Sequence, residues 1–329
     1  TPPRARTDFL ASPDVEKSLV QALNAGALAN GWLITGGEGA GKATLAFRLA
    51  RALLWNARPN DLATLEVPKG ERAYSLVASG AHPDLFVAER QYDDKKDRHA
   101  TEISVEVIRE LTQFLNHTAS MGGWRVAIID TADDLNRNSA NALLKALEEP
   151  PPRTAIFVLS AVPGRLLATI RSRCRRIDLK PAPEAEIAEF LVREGAAAER
   201  DAVRIAAASS GRPGFALSLA LGDGKEGIEV LEHFWTAASG QGDIAAIAQR
   251  LSGKNADGVW PHFKSMLIGR LAAQASDNAM REGEQAGSFA DLYERINVLF
   301  TRGDAVNLDR AQMVMAAARA IKKVLAVAH

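Results

Sequence analysis

A doubly wound parallel α/β sheet followed by an all-helical C-terminal half is the fold class the sequence predicts, and three observations predict it. Short runs apolar on both faces, Trp32-Leu33-Ile34-Thr35, Val126-Ala127-Ile128-Ile129 and Thr154 to Ser160, have the character of strands covered on both sides. Apolar residues at helical spacing alternate with them, as at Leu45, Leu49 and Leu53, or Val107, Ile108, Leu111 and Leu115. After Pro181-Ala182-Pro183 the strand signals stop and only helical periods remain.

Composition bounds the rest. A chain of 329 residues points to two or three domains with ample core. Its 40 basic and 40 acidic residues balance, so bulk charge implies no tight independent grip on nucleic acid or on an anionic membrane. The lone cysteine, Cys174, excludes an intrachain disulfide and a four-cysteine zinc site within these residues. No apolar run approaches membrane-spanning length, and Thr1-Pro2-Pro3-Arg4-Ala5-Arg6 lacks the apolar core of a secretory signal. A cytoplasmic protein without membrane partners is the expectation.

The elements follow in order. Val15, Leu19, Val20, Leu23 and Leu28 mark a helix over 12–29. After the first strand come Gly36, Gly37, Glu38, Gly39, Ala40, Gly41, Lys42, Ala43 and Thr44, opening the next helix. This is the strand–loop–helix setting of a phosphate-binding loop: glycines let successive N–H groups face an anion, and Lys42 reaches the outer phosphates. Gly36, Gly41 and Lys42 fit Gly-x-x-x-x-Gly-Lys-Ser/Thr, but Ala43 stands where the magnesium-binding hydroxyl belongs. Thr44 is a poor substitute, since one helical step turns a side chain by about 100°.

Asn56 to Gly80 reads as an irregular insertion, His82 to Ala88 as a strand, and Gln91 to Ala100 as a charged loop. Asp130 ends the central strand, where ligand sites of open sheets gather. Thr131 follows it, without a carboxylate, and Asp133 and Asp134 read as cap or surface acids. Asn138 to Glu149 is a helix stopped by Pro150-Pro151-Pro152. Then come the strand ending at Ser160, a short helix ending in Arg171-Ser172-Arg173-Cys174, and a last strand over 175–179.

Trp124 to Pro151, with its Asn-Ala-Leu-Leu-Lys-Ala-Leu-Glu-Glu-Pro-Pro run, followed by Ser172-Arg173-Cys174, resembles the bacterial clamp-loader AAA+ proteins. These belong to the DNA polymerase III holoenzyme and place the sliding clamp on primed DNA. The resemblance covers the first domain almost end to end. It implies an AAA+ domain over 1–180, a small helical lid over 181–223 and an all-α collar over 224–329. It further implies a five-membered ring with gamma/tau and delta subunits, with the sliding clamp and primed DNA as partners of the complex.

Within that family the departures select a role. Motor subunits carry a Walker B glutamate where this chain has Thr131, and an arginine in Gly-x-x-Arg-x-Ala-Leu-Ser-Leu where it has Gly214. Arg212 lies two residues earlier, about 200° around a helix. With Ala43, three groups for hydrolysis or sensing are missing, which is the profile of the member that does not hydrolyse ATP. The resemblance then makes Arg173 an arginine finger for a neighbouring ATPase, Ser160 a sensor-like residue, and ATP or ADP a weak ligand that is not hydrolysed. No intrinsic catalysis is expected. Some family members have a cysteine-ligated zinc module after the first loop helix. With no cysteine there, His82 and His99 read as ordinary loop residues and no zinc is expected. The alternative is an active gamma/tau-type ATPase; a small-molecule kinase leaves these motifs unexplained, and a nucleic-acid-binding scaffold would show salt-dependent affinity for DNA in the isolated chain.

The second half reads as helices over 184–194, 201–208 and 213–221, a glycine-rich linker at Gly222–Gly227, and five more helices. Trp235, Trp260 and Phe263 read as core residues.

Overall fold

Successive side chains of the first strand, β1 (Gly31–Thr35), go to opposite faces of its sheet, and both sets are buried. The structure is a computed structural model and describes residues 1–10, 13–56, 62–93, 97–253, 256–279 and 286–327. It divides into two compact units, Thr1–Ala182 and Pro183–His329.

The first unit runs α1 (Pro13–Asn24), β1, α2 (Lys42–Leu54), α3 (Arg72–Ser79), β2 (Leu85–Ala88), β3 (Tyr92–Asp93), β4 (Arg98–His99), α4 (Val105–Asn116), β5 (Arg125–Ile129), α5 (Arg137–Glu148), β6 (Thr154–Ser160), α6 (Ala168–Arg173) and β7 (Arg175–Asp178). Five strands pair in parallel in the order β2-β5-β6-β1-β7, and β3 and β4 form a separate short hairpin. Alternation along the strands builds two cores. Trp32, Ile34, Val126, Ile128 and Phe157 meet Leu45, Leu49 and Leu53 of α2 on one face. Leu33, Ala127, Ile129 and Ile156 meet Ile108 and Leu111 of α4 and Leu143 and Leu147 of α5 on the other. A parallel sheet needs both faces covered, because neither carries the polar alternation that water would accept. This is the doubly wound sheet expected of an AAA+ domain.

Several boundaries differ from expectation for local reasons. The helix expected over 12–29 ends at Asn24; Gly26, at φ 63°, turns the chain so that the Ala27 N–H reaches the Ala22 carbonyl. Residue 12 lies outside the described residues. The stretch 56–80, expected to be irregular, contains α3, which a left-handed Gly80 at φ 75° closes; residues 57–61 are outside the description. Only Ala73 and Val77 of α3 are buried, too few for its period to stand out. The expected charged loop at 91–100 holds the β3–β4 hairpin, where the Tyr92 ring meets His99 edge-on. His82 is not an ordinary loop residue: it is buried, its Nδ1 accepts the Asp84 N–H, and burial lowers its pKa below the usual imidazole value.

Two buried arginines tie the outer segments down. Arg48 of α2 bonds Glu16 of α1 at 2.5 Å, and the same Glu16 oxygen accepts the Leu65 N–H at 3.0 Å. Arg51, 1% exposed, donates to the carbonyls of Arg4 (2.7 Å) and Arg6 (2.5 Å), strapping the N-terminal residues to α2. Burial lowers its pKa to about 10, so it remains charged at neutral pH.

The second unit contains α7 (Glu184–Arg193), α8 (Glu199–Ala208), α9 (Pro213–Leu221), α10 (Gly224–Ala238), α11 (Ile244–Ser252), α12 (Val259–Ala279), α13 (Ala286–Ala305) and α14 (Arg310–Val327). Gly222–Gly227 is not a loose linker. Helix α10 begins at Gly224, where a Cβ would stand 2.2 Å from the Leu219 Cα, so glycine here permits close packing and does not confer slack. Arg212 reinforces the joint, donating to the hydroxyl (2.9 Å) and carbonyl (3.2 Å) of Ser265 on α12 and lying over the Phe215 ring. Trp260 and Phe263 are core residues as expected, stacked near Phe234 and Phe300, while Trp235 is half-buried under Arg270.

Candidate functional site

The pairing Thr35↔Ser160 and Ile129↔Val158 sets the carboxyl ends of β1, β6 and β5 side by side. The loop Gly36–Gly41, Ser160 and Asp130 therefore share one edge of the sheet, as ligand sites of open sheets do. At Gly36, a Cβ would stand 3.1 Å from that of Ala40 and 3.2 Å from that of Leu179, so the loop closes only around glycine. Gly41, at φ 98°, caps α2 and has no side chain of its own to offer the leading amides. Lys42 Nζ donates to the carbonyls of Gly36 (2.8 Å) and Gly37 (3.0 Å), bracing the loop from within. The Phe9 ring covers Gly41, 3.5 Å from where a Cβ would be.

The donor set fits a phosphate group and does not fit a phosphate-bound magnesium ion. Backbone amides, a helix N-terminus and a lysine are present. The hydroxyl is not: Ala43 has none, and Thr44 is turned into the buried face of α2 at 8% exposure. Burial raises the Asp130 carboxyl above the usual carboxylate range, with Lys42 opposing the shift and Glu89 and Asp134 adding to it. Among the described residues, no group of three or more His, Cys, Asp or Glu is placed to hold a metal ion.

Thr131 and Asp133 are bound into the framework. The single Thr131 hydroxyl proton is shared between the Leu159 carbonyl (2.8 Å) and Asp133 (3.1 Å). Asp133 accepts the Ser160 hydroxyl at 2.6 Å and the Ala161 N–H at 2.5 Å, clasping the exits of β5 and β6 together. The reading of Asp133 as a cap or surface acid therefore needs correcting to a clasp. The Ser160 hydroxyl, read as a sensor, has its proton committed to Asp133.

Arg173 lies at the other end of the sheet. It closes α6 just before β7, and a Cβ on Gly31, the first residue of β1, would stand 3.1 Å from the Arg173 carbonyl. The loop Gly36–Gly41 follows the far end of β1, about 13 Å away at about 3.3 Å per residue. Arg173 Nη2 bonds Glu148 Oε1 at 2.8 Å, and its Nη1 donates to the Thr169 carbonyl at 3.0 Å. Neighbouring Cys174 is buried, and burial pushes its thiol up to about 11, consistent with a small apolar role.

A groove of about 510 Å³ between α4 and α5 was not read from the sequence. Arg109, Gln113, Asn116, Asn138, Asn141 and Lys145 line it. Each helix contributes these polar residues at helical spacing, a pattern that a solvated face would also show. Only the pairing of α4 with α5 turns two such faces into a groove.

The family described as "DNA polymerase III, delta subunit" matches residues 11–183. The chain is 33% identical over 291 residues to the DNA polymerase III subunit delta' of Escherichia coli, covering 87% of this chain and 82% of that one. It is 41% identical over 147 residues to the delta' subunit of Pseudomonas aeruginosa, covering 44% and 42%. It is 31% identical over 190 residues to the DNA polymerase III subunit tau/gamma of Haemophilus influenzae, covering 57% of this chain and 26% of that one. The likeness to the Escherichia coli delta' subunit extends through both structural units of this chain and most of that relative, and on that evidence the chain belongs to the family of DNA polymerase III delta' subunits.

Proposed function

We propose that this chain is a clamp-loader subunit of the DNA polymerase III holoenzyme that hydrolyses no ATP itself and supplies Arg173 to the ATP site of a neighbouring subunit. One observation carries this reading: Arg173 and the Gly36–Thr44 loop belong to opposite ends of β1. An arginine so placed does not serve its own loop, whereas in a ring the amino edge of one subunit is free to face the loop edge of the next. The backbone of Gly36–Thr44 and Lys42 would hold ATP or ADP weakly through the phosphates. Ala43, Thr131 and Gly214 supply none of the groups that hydrolysis or sensing calls for. Arg212, the other arginine near Gly214, is engaged by α12. Within Pro183–His329, α7–α9 are assigned to the lid and α10–α14 to the collar that joins a five-membered ring with gamma/tau and delta.

The test is ATP turnover by the purified chain. Phosphate release should match buffer background, and Lys42→Ala should change nothing but any weak nucleotide binding. Sustained release that Lys42→Ala abolishes would establish the active-ATPase alternative.

Primed DNA is the partner whose charge suits the α4–α5 groove, which is lined by two cations and by side-chain amides, groups of the kind that bond phosphate oxygens. Substituting Arg109 and Lys145 with alanine should weaken DNA binding by the assembled loader equally for unrelated sequences. The salt slope should fall by up to about 0.9 for each phosphate that is no longer neutralised. An unchanged slope would place the DNA elsewhere.

A further inference from the structure

We propose that Glu148 is a positioning residue for Arg173. Its carboxylate holds the guanidinium by one edge and leaves the remaining N–H groups to meet the phosphoryl group of a nucleotide bound by the neighbouring subunit. The proposal rests on the action of Arg173 in trans under Proposed function.

Three observations support it. First, the guanidinium is held at two points, by Glu148 Oε1 at 2.8 Å and by the Thr169 carbonyl at 3.0 Å. A guanidinium has five N–H donors in a planar fork, so two fixed contacts set its orientation without exhausting it. Second, the backbone beneath is already immobilised. Ile170 is fully buried, Cys174 is buried, and Gly31 sits against the Arg173 carbonyl where even a methyl group would be crowded. The freedom that remains is in the side chain, and Glu148 restricts it. Third, Glu148 is the last residue of α5, where the negative end of the helix dipole disfavours a carboxylate. The Arg173 cation across the gap offsets that cost at 2.8 Å.

The pair is half-exposed, with side-chain accessibilities of 35% and 46% for Arg173 and Glu148. Such a bond is weak enough for a phosphate to displace or share it, and strong enough to bias a flexible side chain. The effect is therefore modest and specific to Arg173.

The experiment uses the complete loader with clamp and primed DNA, carrying Glu148→Gln, Arg173→Ala or both in this subunit. Glu148→Gln should lower kcat for DNA-stimulated ATP hydrolysis about two- to fivefold, the range an exposed ion pair commands. Glu148→Asp, which keeps the charge but shortens the reach, should fall between. Arg173→Ala should cost more, and adding Glu148→Gln to it should cost nothing further, because the group being positioned is gone. Equal losses from Glu148→Gln with and without Arg173 would overturn the proposal, as would no loss or a gain from Glu148→Gln alone. If Arg173→Ala itself leaves the rate unchanged, the trans-acting role fails first, and this proposal with it.

Discussion

Arg173→Ala is expected to leave the chain folded and assembled while slowing DNA-stimulated ATP hydrolysis and clamp loading by the complex. Phosphoryl transfer spreads negative charge over the transferred oxygens, and a forked, permanently charged guanidinium stabilises that distribution more than it stabilises the ground state. Arginine fingers are worth about 10³–10⁵ in rate at the site they serve. The loss summed over a ring with several motors is smaller, because the other sites keep their own arginines. Folding should survive: Arg173 ends a short helix at the surface, and its bonds to Glu148 and Thr169 are of the exposed kind that contributes about 0–1 kcal/mol. Arg173→Lys should be nearly as damaging, because a point charge cannot reproduce the two-pronged contact. Co-elution of all subunits at unchanged stoichiometry, measured beside ATPase and loading rates, separates lost catalysis from lost assembly. Wild-type rates in a verified mutant complex would sink the assignment.

The second large effect concerns stability. Arg48→Ala removes the cation from a nearly buried pair, leaving Glu16 to keep only its bond from the Leu65 N–H. Stranding one member of a buried ion pair costs about 3–5 kcal/mol. Glu16 retains 19% exposure, so the lower end, about 3 kcal/mol, is expected. For a unit of this size that corresponds to a fall of roughly 6–12 °C in the melting temperature of Thr1–Ala182. Arg48→Lys should recover part of the loss, since the charge remains but the geometry does not. A shift under about 2 °C for Arg48→Ala would mean that water reaches the pair.

Much of this protein was legible along the chain. The central strands of the main sheet announce themselves as short runs apolar on both faces, because both sides are covered, and most helices through a period of 3.6, because each keeps an apolar stripe on a buried face. The Gly36–Thr44 loop is equally local: its glycines, lysine and following helix are adjacent in sequence. So are the missing groups. An alanine at 43, a threonine at 131 and a glycine at 214 lack the required chemistry whatever surrounds them.

What the sequence could not decide are relations between segments far apart in the chain, which no period encodes. Asp133 and Ser160 lie 27 residues apart, yet strand pairing brings them to 2.6 Å and turns an expected surface acid into a clasp. Gly222–Gly227 has the composition of a linker, but close approach to Leu219 makes it a helix start, because a missing side chain permits tight packing as readily as motion. The α4–α5 groove exists only once two polar helix faces are set beside each other. For Arg173, the motif identified the residue. Only the strand order put it at the amino end of the sheet, beside Gly31 and Glu148 and away from the phosphate-type loop. By itself the sequence determined which chemical groups this chain has and lacks; the tertiary structure decided which way they face, since direction depends on packing between elements that local sequence does not specify.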